Sequence, residues 1–361
     1  MNHIRQTDVT RLAMLIILLL LLTTCRGGAP ASTTITKLPA SPTEDLGGLS
    51  SDAILTLRSL EKMDDYPFYS MHFFGAYEGA YEGAYEYPQT SYTWAGGSGF
   101  SCSLFAALGE AGDKFYGRNF DWDYSPALLL FTDPPDGYAS VSMVDLTFLG
   151  ISPDASLTLT DLPLRKRTAL LKAPSMPFDG MNEYGVTIGM AALPDEYVDD
   201  ASYYPSKPTI GSIGIIRQSL DHSRSVDEVL KFFEQYNIDF SGGPPIHYLI
   251  ADPSGKAVLI EFYRGEMILL PNEIPWHMAT NHLRCIAEGD GGCPRYRTIS
   301  TQLTAVNGQL DPQAAMQLLS EVKQGMTQWS TVYNITRGDI NVVIAGVYEN
   351  IYSFHLDRQV P

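Results

Sequence analysis

A single cysteine and a nearby group of polar residues raise the question of chemistry. Cys102 sits in "GGSGFSCSLF", behind a Gly- and Ser-rich approach, and Arg118, Asn119 and Asp121 follow within "GRNFDWD". Such a cysteine can be a nucleophile, half of a disulfide, or a small buried apolar residue. A papain-like Cys-His pair would have to draw on His247, His277 or His282, which are scattered along the chain. That design places its cysteine at a helix start, whereas "FSCSLF" reads as a strand, so the pairing is disfavoured. A second design needs no histidine. A cysteine that is itself a chain terminus carries an α-amine beside its thiol. With a pKa of about 8, that amine can take the thiol proton at neutral pH. The site then needs a carboxylate or arginine to orient amine and thiol, and amide donors for the oxyanion. No Walker loop, GxGxxG, HExxH or paired CxxC motif is present, so no metal or other cofactor is expected.

These residues have to be positioned by a folded body, and the composition supplies one. The 361 residues are 45% hydrophobic and 18% charged, which is a globular balance. A net charge of −17 repels phosphate backbones, so nucleic acid is not an expected partner. At the N-terminus, Arg5 and Arg11 precede the apolar run "LAMLIILLLLL" and then "TTC", an export-signal pattern. The end of residues 1–25 resembles a lipobox with Cys25 as the lipidated residue. A plain signal peptide and a single anchor helix are the alternatives. All three put the body outside the cytoplasm, with a lipid anchor as the membrane partner in the first. Residues 26–50, rich in Ser, Thr, Pro and Gly, read as a flexible tether. Cys285 and Cys293 bracket "IAEGDGG", which in an oxidising compartment reads as a local disulfide. That leaves Cys102 as the odd thiol.

Within 51–101, "SDAILTLRSLEKMDD" predicts a helix over 51–65 capped by Ser51 or Asp52, and the repeat "GAYEGAYEGAYEY" predicts an expanded loop. From about residue 100 onward, short β-rich runs such as "FSCSLFAAL", "KFYGRNF", "GVTIGMAAL" and "AVLIEFY" alternate with turn residues. Helices are predicted from Ser225 and from Asp311, the latter with Pro312 at its first position and Gly325 at its stop. Runs of strands with helices clustered between them predict a layered antiparallel α+β protein rather than a doubly wound parallel sheet.

"CSLFAALGEAGDKFYGRNFDWD" resembles the opening of the choloylglycine hydrolase type of N-terminal-nucleophile cysteine hydrolases. Penicillin V acylase, bile salt hydrolase, acid ceramidase and the isopenicillin N acyltransferase group are members. The likeness continues in order through "FDGMNEYGVTIGM" (178–190), "ATNHL" (279–283), "CPRYRT" (293–298) and "TQWSTVYNITRGDINV" (327–342), so that it spans about 55–361. The resemblance implies a four-layer αββα sandwich, two antiparallel sheets flanked by helices, and hydrolysis of a small N-acyl amide through a thioester. Acyl transfer to an amine, or a non-catalytic binding protein on the same fold, are the rival readings. It also implies roles. Cys102 would be the nucleophile, Arg118 would steady its thiolate and Asp121 would bind its α-amine. Asn182 would serve the oxyanion through its backbone N–H and Asn281 through its side-chain amide, and Arg295 would support the transition state. In bile salt hydrolases the cysteine follows the initiator methionine; here everything up to Ser101 precedes it. The resemblance therefore implies a cut between Ser101 and Cys102, with 51–101 as a candidate small chain and 102–361 as the catalytic domain.

Overall fold

The computed structural model describes residues 48–77, 101–151, 158–194, 203–241 and 243–359. The export signal with Cys25, the tether up to residue 47, and most of the GAYE repeat lie outside the described residues.

Two large sheets form the framework. The first has nine strands: β1 (Glu61–Asp64), β2 (Phe68–Phe73), β5 (Ala127–Thr132), β6 (Ser140–Asp145), β7 (Asp179–Asn182), β8 (Thr187–Ala192), β11 (Ile246–Ala251), β12 (Ala257–Tyr263) and β13 (Glu266–Pro271), in that spatial order. The second has six: β14 (Trp276–Ala279), β3 (Ser101–Ala107), β4 (Phe115–Asp121), β15 (Thr327–Asn334), β16 (Asp339–Ile344) and β17 (Tyr352–His355). Every neighbouring pair in them is antiparallel except β2 with β5. A short parallel pair, β9 (Thr209–Gly211) and β10 (Asn237–Asp239), stands apart.

The strand period explains how the layers stack. On β3, Cys102, Leu104 and Ala106 join the core between the two sheets, while Phe105 and Ala107 belong to a second core. That second core is completed by Ile299 and Leu303 of α4 (Pro294–Ala305) and by Ala315, Leu318 and Leu319 of α5 (Pro312–Glu321). A strand covered on both faces has no polar side to show, which is why "SCSLFAA" reads as a nearly continuous apolar run. α2 (Gly214–His222) and α3 (Val226–Gln235) supply Ile215, Ile216, Val229 and Phe233 to the main core and cover the nine-stranded sheet. The result is the α+β sandwich of two antiparallel-dominated sheets with flanking helices. Gly189 on β8 faces the six-stranded sheet at close range. A Cβ there would stand 2.8 Å from the Tyr116 hydroxyl and 2.9 Å from Leu104. Its absence lets Tyr116 donate across the sandwich to the Leu249 carbonyl at 2.8 Å.

Two sequence expectations need correcting. The helix foreseen over 51–65 is α1 (Ser51–Arg58), capped by Ser50, whose hydroxyl accepts from Ala53 N. Residues 61–64 instead form β1, paired with β2 across the Pro67 turn. The second concerns the stop of α5. It ends at Glu321 with Val322 as its cap, ahead of Gly325. Asp311 and Ser225 cap their helices as foreseen, accepting from Ala314 N at 2.7 Å and Glu228 N at 3.3 Å.

Candidate active site

The β3–β4 hairpin brings the cysteine and the "GRNFD" residues together. Its register sets Cys102 opposite Phe120, Ser101 opposite Asp121, and Leu104 opposite Arg118. Arg118 and Phe120 therefore share the inner face with the Cys102 thiol, while Asn119 and Asp121 share the outer face with Ser101. Arg118 and Asp121 accordingly point to opposite faces and are not an ion pair.

Cys102 is 3% exposed and tied at three points. Its N–H donates to Asn281 Oδ1 at 2.6 Å. Its carbonyl accepts from Arg295, which also reaches Ser103 Oγ and Asn281 Oδ1, each at 2.9 Å. Its sulfur lies 3.9 Å from a terminal nitrogen of Arg118. Asn281 Nδ2 donates to the Ala192 carbonyl on β8 at 2.7 Å, so this one amide joins the edge strand of the nucleophile's sheet to the opposing sheet.

Arg118 is fully buried and paired with Asp179 at 2.5 Å. Burial works against its charge, but Asp179 and the Cys102 sulfur outweigh it and hold the guanidinium above its ordinary pKa. Asp179 is fixed in turn by the Tyr333 hydroxyl at 2.5 Å and the Trp329 indole at 3.5 Å. Sequence reasoning missed Asp179. The usable signal was that a buried arginine needs a carboxylate, and this one stands in the same "FDGMN" motif. On the outer face, Asp121 Oδ1 accepts from the Thr327 hydroxyl, while Oδ2 is buried with no partner. Burial pushes the Asp121 carboxyl up to about 6, against the pull of Thr327, Arg295 and Arg118.

The thiol lines a pocket walled by Phe120, Trp122, Phe148, Phe178, Met190 and Ile246 among others. Its walls are mostly apolar, with the Arg118 guanidinium as the charged part of the lining.

Asn182 is not part of this arrangement. Its N–H, expected to face an oxyanion, donates instead to the Val186 carbonyl at 3.0 Å. Its side chain accepts from Tyr184 N and Val186 N, and donates to the Leu220 and Ser223 carbonyls. It organises the β7–β8 turn and ties it to the end of α2, so its N–H and its side-chain amide are all engaged. The disulfide expectation also fails: Cys285 and Cys293 are both free thiols. Each is engaged separately. Cys285 is held against Glu261, which accepts its N–H at 2.8 Å, while the Cys293 sulfur accepts from Thr280 Oγ1 at 3.4 Å.

Residues 102–281 match the family model described as linear amide C–N hydrolases, choloylglycine hydrolase family. Two solved variants of the conjugated bile acid hydrolase from Clostridium perfringens are similar in structure. One has a TM-score of 0.52 at 18% identity, covering 72% of this chain and 93% of its own. The other has a TM-score of 0.51 at 18% identity, covering 70% and 92%. A penicillin V acylase from Agrobacterium tumefaciens scores 0.48 at 15% identity, covering 71% and 87%. No curated protein sequence matches the chain.

Proposed function

Because the chain belongs to the linear amide C–N hydrolases of the choloylglycine hydrolase family, we propose that Cys102 is its nucleophile and that the nucleophile is unmasked by cleavage of the Ser101–Cys102 bond. The observation that carries this reading is the placement of Cys102. It begins a buried strand, with its N–H on Asn281, its carbonyl on Arg295, its thiol beside Arg118, and an apolar pocket in front.

In maturation, the Cys102 sulfur adds to the Ser101 carbonyl carbon. The peptide C–N bond breaks, the nitrogen becomes the α-amine of Cys102, and water hydrolyses the resulting thioester. Asn281 Oδ1, already 2.6 Å from that nitrogen, is in position to hold the new amine. The orphan Oδ2 of Asp121, which pairs across from Ser101, supplies a counter-charge for the ammonium. In turnover, the amine takes the thiol proton and the thiolate, steadied by Arg118, attacks the amide carbonyl. The second Nδ2 hydrogen of Asn281 meets the oxyanion, with Arg295 holding Asn281 in place. The α-ammonium protonates the leaving amine, and water then releases the acid from the thioester. Cys102→Ala is expected to abolish both cleavage and hydrolysis of N-acyl amides. A Cys102→Ala protein that still hydrolyses them would overturn the assignment.

The rest of the chain is consistent with an exported precursor, with Cys25 carrying a lipid in the lipoprotein reading. β1 and β2 are integral to the nine-stranded sheet, Phe68 and Met71 are fully buried, and the Tyr77 hydroxyl donates to Asp221 at 2.8 Å. A small chain produced by the cut would therefore remain seated in the fold.

A further inference from the structure

A buried histidine and glutamate outside the catalytic group deserve a role. The register that pairs Tyr248 with Ile260 sets His247 of β11 directly across from Glu261 of β12 when carried one step further. Both side chains are 0% exposed. His247 Nδ1 meets Glu261 Oε1 at 3.1 Å and Nε2 meets the Thr280 carbonyl at 2.7 Å. Glu261 also accepts the backbone N–H of Arg284 at 2.7 Å and of Cys285 at 2.8 Å. The pair thus grips residues 280–285 at three backbone points, one before Asn281 and two after it. Asn281 is the residue that holds the Cys102 nitrogen and reaches across to Ala192.

A carbonyl oxygen can only accept. The Glu261 carboxylate, with two backbone N–H groups on it, is an acceptor as well. The imidazolium form, with a donor on each ring nitrogen, satisfies both acceptors at once. A charged pair buried in the nine-stranded sheet is costly unless fully hydrogen-bonded, and here the bonds go to the segment that carries Asn281.

We propose that His247 and Glu261 are positioning residues for the hydrolase reaction: an imidazolium–carboxylate clamp that sets Asn281 against Cys102. The proposal rests on Cys102 being the nucleophile. A small misplacement of a group that orients reacting atoms costs up to roughly 10²-fold in rate. His247→Gln is therefore expected to lower kcat/KM by about 10- to 100-fold, mostly through kcat. In an Asn281→Ala background the same change is expected to lower it less than about twofold, because the group being positioned is gone.

The test is this double-mutant cycle on the full chain, with Cys102→Ala assayed alongside and with Glu261→Gln in place of His247→Gln if the latter does not fold. ¹⁵N-histidine NMR of the wild-type protein at pH 7 is the second readout. An inactive Cys102→Ala, a strongly non-additive cycle, and a His247 ring protonated on both nitrogens support the clamp. With Cys102→Ala inactive, equal losses in both backgrounds or no loss in either overturns it, as does a ring protonated on one nitrogen only. An active Cys102→Ala would overturn the nucleophile assignment and the clamp with it.

Discussion

Asp121 gives the most quantitative prediction. In the uncut chain its Oδ2 is buried without a partner, and burial raises its carboxyl pKa from the ordinary 3.8 to about 6. A carboxyl with a raised native pKa binds more protons in the native than in the unfolded state. Its stabilising contribution is therefore complete below about pH 4 and is lost as pH rises through about 6. At about 1.4 kcal/mol per pK unit, the loss across that window is about 2–3 kcal/mol. Asp121→Asn keeps an acceptor for Thr327 and does not titrate. The assay is urea unfolding of Cys102→Ala, which holds the chain uncut, with and without Asp121→Asn, at pH 4 and pH 7. Asp145, also raised to about 6 by burial, is common to both proteins and cancels. The stability difference between the two is expected to move by about 2–3 kcal/mol in favour of the asparagine form between pH 4 and pH 7. A difference that stays flat with pH would refute the claim that Asp121 waits, unpaired, for a charge that cleavage supplies. In a chain free to mature, Asp121→Asn should instead block cleavage or activity, because the ammonium then loses its counter-ion.

Other outcomes follow from the same geometry. Burial pushes the Cys293 thiol up, but His282 and Thr280, together with Tyr296 N–H and the Arg295 charge, outweigh it and bring it down to about 6. Burial and Glu261 push Cys285 up to about 12. Iodoacetamide at pH 7 should therefore alkylate Cys293 well before Cys285, and peptide mass mapping that finds the reverse order would contradict this. Replacing Met190 or Ile246 in the pocket wall by Trp should raise KM for bulky acyl amides severalfold while cleavage proceeds normally, as read by steady-state kinetics and gel analysis. A chain expressed from Cys102 onward, without β1 and β2, loses the fully buried Leu57, Phe68 and Met71, at ~1.5–3 kcal/mol each. It is expected to be insoluble or unfolded by circular dichroism unless residues 48–101 are supplied in trans.

What the sequence made legible depended on where hydrogen bonds run. Cys102, Arg118 and Asp121 were readable because one hairpin carries all three and its alternation sorts them to two faces. Asn281 and Arg295 were readable from motif order, and the fold brings both onto the Cys102 backbone. Asn182 misled because an asparagine three residues before a glycine serves a turn or an oxyanion equally well in one dimension. Its side chain accepts two hydrogen bonds within the turn and donates two to the Leu220 and Ser223 carbonyls at the end of α2. Asp179 and Glu261 were silent, and His247 was weighed only as the partner of a papain-like cysteine, because their actual partners lie 61, 14 and 33 positions away in sequence. The Cys285–Cys293 spacing permits a bond but does not require one, and each thiol found another partner. The 51–65 helix was overextended because the apolar pattern of "AILTL" was carried past Arg58 into residues whose backbone pairs with β2.

The most direct measurement is the intact mass and N-terminal sequence of the active protein purified from its own export pathway. The expected result is a large chain beginning at Cys102, associated with a smaller chain ending at Ser101, with Cys102→Ala recovered as one uncut chain. Full hydrolytic activity in a protein whose Ser101–Cys102 bond is intact would contradict the central claim.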